Sequence, residues 1–249
     1  MSIKDISIIK KRSYPEIHEI KKNFRVSENG EICLAIGGDG TFLKAATMFD
    51  CPILHIRSGE KSSLGFRADV TLGDVKEIIK ELKQGRYVVD RYSKLRLTYR
   101  NKTFNAVNDI VLFRGSAKTI HFKVNYYNEE GKEFPLYPGE IRGDGVIFTR
   151  QIGSTAYNYF ARGPILFDID AIAVTPIAAN NAFSIVTNRD FHVTITKRPS
   201  VLGCDGVDIA KLHEEDSFTI TNSDNVVKVV RLKNYKEQFA DKLARLRNF

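Results

Sequence analysis

The sequence predicts two folded parts: an α/β domain over residues 1–90 and a mostly β domain over residues 91–233, followed by a helix within 234–249. Three observations carry this prediction. Strand-like and helix-like segments alternate as far as about residue 90. Past Gly85 the apolar residues recur at every second position. Residues 235–247 return to helical spacing.

Taken in order, residues 3–9 read as a strand. Tyr14, Ile17, Ile20 and Phe24 fall near helical spacing, so 15–24 reads as a helix. The run Ile32–Ile36 is apolar throughout, the pattern of a strand buried on both faces. Phe42, Ala45, Ala46 and Phe49 then stand at i, i+3, i+4 and i+7 of a helix over 41–49. Residues 52–56 make another short strand, and Val75, Ile78, Ile79 and Leu82 make one stripe of a helix over 73–84. This rhythm implies a parallel sheet with helices on its faces. Farther on, Leu95, Leu97 and Tyr99 alternate with polar residues. So do Ile120, Phe122, Val124 and Tyr126, and Phe191, Val193 and Ile195, which marks half-buried strands. One stretch interrupts them: 154–162 opens on a helix-start residue and shows no alternation. Tyr235, Phe239, Leu243 and Leu246 give the last helix its apolar stripe.

Composition narrows the classes of function. The chain of 249 residues carries 38 Lys and Arg against 30 Asp and Glu, a net charge of +8. The surplus is uneven. Residues 1–30 hold seven basic and four acidic side chains, and residues 231–249 hold six and two, which leaves a net +1 for the stretch between. Both ends read as solvated helix faces with no base-reading motif, so no nucleic-acid partner is expected. A hydrophobic content of 43% is too high for a disordered chain. No run approaches the roughly 18 apolar residues of a spanning helix, and no apolar segment of a secretory signal follows Met1. A cytoplasmic protein without a membrane partner is expected. Cys33, Cys51 and Cys204 form no CxxC pair, and the five histidines lack metal-ligand spacing, so neither a disulfide framework nor a protein-held metal is expected.

The most informative local pattern is Gly37-Gly38-Asp39-Gly40-Thr41, between the buried strand and the helix that follows. Glycines let the backbone approach a ligand closely, and a helix N-terminus offers unpaired N–H groups to a phosphate. Asp39 is itself favoured at that helix end, as a cap or as a functional carboxylate. A second cluster is Asn108-Asp109 inside an apolar segment, read either as a bulge or turn or as a ribose or base contact. A third runs from Arg142-Gly143-Asp144-Gly145 to Gly153-Ser154-Thr155-Ala156-Tyr157. Its hydroxyls and amides suit a purine, a ribose or a phosphate, and equally a simple helix cap.

Together these segments, with Leu64-Gly65-Phe66 and Gly163-Pro164-Ile165, resemble the NAD kinase family, in its order and over about residues 30–180. The Gly-Ser-Thr-Ala-Tyr segment discriminates, since Gly-Gly-Asp-Gly alone is shared with lipid kinases and related sugar kinases. The resemblance implies an α/β domain and a β-sandwich domain, with the last helix returning to the first. It implies transfer of a phosphoryl group to the 2′-hydroxyl of the adenosine ribose of NAD, giving NADP. The donor would be ATP with Mg²⁺, a divalent metal carried by the nucleotide, or inorganic polyphosphate. Asp39 would then take the hydroxyl proton, and Gly37, Gly38, Gly40, Thr41 and Arg142 would face phosphates. Phe66 would wall the pocket, with Asn108, Asp109, Ser154, Thr155, Ala156 and Tyr157 binding NAD. Asp144 would reach NAD across a subunit interface of a homo-oligomer, a dimer or tetramer that shares its active sites. Asp205-Gly206 matches a turn near the family's NAD site and, taken alone, reads as a hairpin turn.

The chain departs from the family at Arg150-Gln151-Ile152, where a Thr-Pro-Thr type segment is usual. It also has Asp109 in place of the usual Glu, a longer stretch before Leu64, and Phe160 in place of a small hydroxyl residue. A lipid or sugar kinase of the same superfamily and a non-catalytic nucleotide-binding protein are the competing readings.

Overall fold

Five consecutive apolar residues make the centre of the N-terminal unit. In the computed structural model, which describes residues 3–59, 68–234, 240 and 242–244, Ile32–Ile36 (β3) is buried along its whole length. It lies parallel to Asp5–Lys10 (β1) on one side and Ile53–Arg57 (β4) on the other. Short strands Arg25–Val26 (β2) and Val70–Thr71 (β5) extend this parallel sheet. Ile32, Leu34 and Ile36 join Ile17 and Ile20 of helix Ile17–Asn23 (α1) and Val75, Ile78, Ile79 and Leu82 of helix Val75–Lys83 (α3) in one buried cluster. Cys33 and Ala35, equally buried, point to the opposite face. There Phe42, Ala45 and Ala46 of helix Asp39–Met48 (α2) are buried. Small residues at 33 and 35 let that helix come close.

Two units divide the chain, Met1–Arg91 with Val227–Phe249, and Tyr92–Val226. The N-terminal unit therefore also contains the end of the last strand. Val229 pairs in parallel with Ile53, and Val230 and Leu232 enter the same buried cluster. Of the expected C-terminal helix, residues 240 and 242–244 are helical, and the remainder of 235–249 lies outside the described residues.

The second unit is a sandwich of two antiparallel sheets. The chain enters it within Tyr87–Tyr99 (β6), which pairs with Lys102–Ala106 (β7). Next come Asp109–Arg114 (β8), Ile120–Tyr127 (β9), Glu133–Pro135 (β10), Ile141–Gly143 (β11) and Gly145–Thr149 (β12). Beyond a short helix Tyr157–Phe160 (α4) follow Ile172–Ile177 (β13), Ile185–Thr187 (β14), Phe191–Lys197 (β15), Ser200–Cys204 (β16), Val207–Leu212 (β17) and Ser217–Leu232 (β18). One sheet runs β14-β13-β12-β8-β16-β17. In the other, β9 pairs with β15, β10 and β11, and β15 pairs with β18. The expected alternation is realised. Phe122, Val124, Phe191, Val193, Phe218 and Ile220 turn inward from one sheet onto Ile110, Leu112, Val146 and Phe148 of the other. Phe148 and Phe191 meet across the interior with ring centroids 5.2 Å apart.

The expected helix over 154–162 is shorter than its residue pattern. A 3-10 turn at Gly153–Thr155 is broken at Ala156, and only four residues of α4 follow. Arg162, at φ +64°, and Gly163-Pro164 end it.

Because Phe148 is fully buried at the contact between the two sheets, Phe148→Ala is expected to lower stability by about 3–5 kcal/mol. Urea unfolding followed by circular dichroism measures this. A loss below about 1 kcal/mol would show that the contact does not carry the sandwich.

Candidate active site

In the N-terminal unit, the chain leaves β3 and turns directly into α2. Gly37 takes φ +152°, and a side chain there would place its Cβ 2.4 Å from the Thr41 hydroxyl. Both facts call for glycine. Gly38 stands at the N-cap in an extended conformation, and Asp39 opens the helix at its first position. Of the two readings of Asp39, cap or functional carboxylate, the cap is set aside: its main chain is already helical. Its carboxylate lies where the partial positive charge of the ten-residue helix favours an anion. A Cβ on Gly40 would meet nothing within 4 Å, so this face of the turn opens outward. The turn is braced from below. The Gly37 N–H donates to the Ile56 carbonyl at 2.9 Å. The buried His55 donates from Nε2 to the Gly37 carbonyl at 3.1 Å, because a carbonyl can only accept. The sequence marks His55 only as one of five histidines without metal-ligand spacing. Its partnership with Gly37 depends on the register of β4 against β3, which the sequence does not display.

In the C-terminal unit, three strand ends meet at one edge of a sheet. β8 begins at Asp109, which pairs with Thr149 at the end of β12, and β16 ends at Cys204, which pairs with Ile110. Asn108-Asp109 and the Gly153–Tyr157 segment are therefore brought together. The Thr149 hydroxyl donates to the Asn108 carbonyl at 2.7 Å. A Cβ on Gly153 would come within 1.8 Å of that same carbonyl, so only glycine fits. From the other side the Asp205 carboxylate accepts the N–H groups of Val107, Asn108 and Asp109 at 2.8, 2.7 and 3.2 Å.

The segment 153–157 is fixed by its own polar side chains. Ser154, fully buried, donates to the Gln151 carbonyl at 2.8 Å and accepts from the Leu166 N–H at 3.1 Å. Asn158, also fully buried, donates to the Pro164 carbonyl at 2.8 Å and accepts from the Thr175 hydroxyl at 2.6 Å. Thr155 is buried, Ala156 half-buried and Tyr157 exposed. Burial pushes the Tyr157 phenol above its ordinary range, and the carboxylates of Asp109 and Asp144 push it further. The Cys204 thiol, next to Asp205, is pushed up to about 12, first by burial and then by Asp205 and Asp109.

Other expected residues are placed apart. Asp144 precedes β12, whereas Asp109 pairs at the strand's far end. About five residues at some 3.4 Å each separate the two. Asp144 faces Arg114, Nε to Oδ1 3.3 Å. Arg142 is exposed, its Nε 3.9 Å from Glu140. Arg150 is buried, and its Nη atoms donate to Asn222 at 2.6 Å and to Asp170 at 2.9 Å. Ile152 is also buried. Leu64-Gly65-Phe66, and so Phe66, lies outside the described residues. Among the described residues no three His, Cys, Asp or Glu side chains converge on a metal position, and no helix is long and apolar enough to cross a membrane.

The comparisons with known proteins agree with the two-domain fold. The model for the ATP-NAD kinase N-terminal domain matches residues 1–87, and that for the ATP-NAD kinase C-terminal domain matches residues 107–232. The NAD kinase of Clostridium tetani is 31% identical over 224 residues, 83% of this chain and 77% of that one. The NAD kinase of Clostridium beijerinckii is 29% identical over 237 residues, 87% and 80% of the two chains. Among solved structures, an NAD kinase from Archaeoglobus fulgidus in complex with ATP superposes with a TM-score of 0.77 at 21% identity, covering 98% of this chain and 99% of the other. Yeast NADH kinase complexed with NADH gives 0.81 at 20% identity, covering 100% and 89%. At these identities the structural likeness shows the fold.

The buried Asn158 amide makes its bonds in a dry setting, where each lost partner is costly. Asn158→Ala is expected to cost about 1–3 kcal/mol. Thermal unfolding of the purified variant measures it, and an unchanged midpoint would contradict the account of this segment.

Proposed function

The chain belongs to the ATP-NAD kinase family, and from that membership and the site we propose that it phosphorylates the 2′-hydroxyl of the adenosine ribose of NAD with ATP, yielding NADP. The observation that carries the reading is the turn at 37–41. A carboxylate, Asp39, opens a ten-residue helix beside an outward-facing Gly40, behind a braced Gly37. Main-chain N–H groups at such a helix end suit phosphate oxygens.

The 2′-hydroxyl oxygen forms a bond to the γ-phosphorus. The bond from that phosphorus to the β–γ bridging oxygen breaks, and ADP leaves. The hydroxyl proton passes to the Asp39 carboxylate. Phosphoryl transfer rests on positioning and charge stabilisation more than on covalent help. Gly37, Gly38, Gly40 and Thr41 are assigned to the phosphates. Asn108, Asp109, Thr155, Ala156 and Tyr157 are assigned to NAD, Tyr157 as a neutral, exposed ring able to stack. Ser154 is assigned a supporting part, since its hydroxyl already bridges Gln151 and Leu166. A divalent cation, Mg²⁺ in this reading, arrives with the nucleotide and offsets phosphate charge. Among the described residues no three His, Cys, Asp or Glu side chains converge on a metal position, and the ion is assigned to the phosphates of the nucleotide.

Asp144 stands at the opposite end of β12 from Asp109. The family resemblance is the ground for proposing a homo-oligomer, a dimer or tetramer, in which Asp144, and Arg142 near it, serve NAD bound to another subunit. Three free thiols fit a reducing cytoplasmic setting. Inorganic polyphosphate remains a second donor to be tried beside ATP.

The test is formation of NADP, read by an NADP-specific dehydrogenase, with Mg-ATP and polyphosphate as parallel donors. Asp39→Asn is expected to lower kcat by about 10²–10⁴ with an unchanged melting midpoint. Full activity in that variant would overturn the role of Asp39, and no NADP from any donor would overturn the whole reading. Gly40→Ala meets no atom within 4 Å and should fold at least as stably as the parent. Its Cβ would project toward the phosphates, so its KM for ATP is expected to rise several-fold. An unchanged KM would remove Gly40 from the phosphate site.

A further inference from the structure

We infer that Asp205 is a positioning residue for NAD, one that sets where Asn108 and Asp109 stand; the inference rests on the reading of the site given above. Its carboxylate lies 96 to 98 positions along the chain from the three amides it binds. Oδ2 accepts from Val107, and Oδ1 accepts from both Asn108 and Asp109. The Asp205 N–H in turn donates to the Asp109 carbonyl at 3.0 Å. Successive N–H groups that converge on one point make an anion-binding concavity. Here the anion is supplied by the protein itself.

The hairpin does not by itself require a carboxylate. Asp205 and Gly206 form the two-residue loop between β16 and β17, both at positive φ, +49° and +79°. Asn suits the first position of such a turn as well as Asp does. What distinguishes Asp is acceptor capacity. It offers two acceptor oxygens, whereas Asn would turn an NH₂ group toward one of the main-chain N–H groups. The amides at 107–109, more than the turn, account for the charge at 205.

The link continues beyond Asp205. The Asn108 carbonyl is held by the Thr149 hydroxyl, and Gly153 packs against the same carbonyl. A continuous path thus runs from the hairpin, through the main chain of 107–109, to the segment that ends in Tyr157. A shift of 107–109 would move the side chains of Asn108 and Asp109 and the support beneath Thr155 and Ala156. All of these residues are assigned to NAD. The glycine turn at 37–41 is not part of the path, so the effect is expected on NAD and not on ATP.

The test is calorimetric titration of NAD and, separately, of ATP into the full-length wild type and Asp205→Asn, with turnover measured in parallel. The expected result is a Kd for NAD about tenfold weaker in the variant, with the Kd for ATP within about twofold. A Kd for NAD unchanged in a folded variant would overturn the inference, as would equal weakening of both ligands. If Asp205→Asn fails to fold, Thr149→Val decides. It is near-isosteric, removes the bond to the Asn108 carbonyl, and is expected to weaken NAD in the same sense without weakening ATP. The same overturning results apply to it. Wild type that binds NAD but forms no NADP overturns the reading of the reaction, and the binding comparison still decides the role of Asp205.

Discussion

The main chain of residues 107–109 is held from both sides, and the candidate site of the C-terminal unit is built upon it. Three N–H groups are donated to one carboxylate, and one carbonyl accepts a hydroxyl. Hydrogen bonds to a charged group contribute about 1.5–3 kcal/mol each. Ordering a residue's backbone costs about 1–2 kcal/mol. Bonds of that strength match or exceed the ordering cost, which favours a segment in place before any ligand arrives. The sheet register explains why the clamp can form. The start of β8 and the ends of β12 and β16 fall at one edge, which brings together residues that lie far apart in the sequence.

The two units rely on different physics. In the N-terminal unit a strand buried on both faces runs into a ten-residue helix, whose first turn favours negative charge. In the C-terminal unit the corresponding segment has only four helical residues after a broken 3-10 turn. That segment has little helix field to offer, and its parts are side chains, a half-buried main chain and an exposed Tyr157. The first arrangement suits phosphates and the second suits a nucleoside. The surplus positive charge near the chain ends has no assigned part in either, and what the glycine turn offers an anion is main-chain amides instead of bulk charge.

Much of this was legible in the sequence, for local reasons. Ile32–Ile36 has the length and unbroken apolar run of a doubly buried strand, and two glycines before an acid at a helix start mark a close approach. Period-2 alternation gave the strands of the sandwich. Pairings across long separations were not legible. Asp205 read as a hairpin turn, and nothing near it announces three amides some ninety-eight residues earlier. Arg150 stood out in the sequence only as a departure from the family's usual segment, whereas its guanidinium is buried against Asn222 and Asp170. His55 read as a scattered histidine, yet it donates to the glycine turn because β4 lies in register with β3. Ser154 read as a ligand contact or a cap, but its hydroxyl is spent within its own loop. In each case the local residue types were informative and the tertiary partner was not.

Preorganisation of 107–109 is the central claim, and amide hydrogen exchange of the wild-type protein tests it most directly. The Asn108 and Asp109 amides should exchange slowly before NAD is added, because they are already donated to Asp205, and NAD should slow them little further. Amides that exchange as fast as those of an open loop until NAD binds would contradict the account.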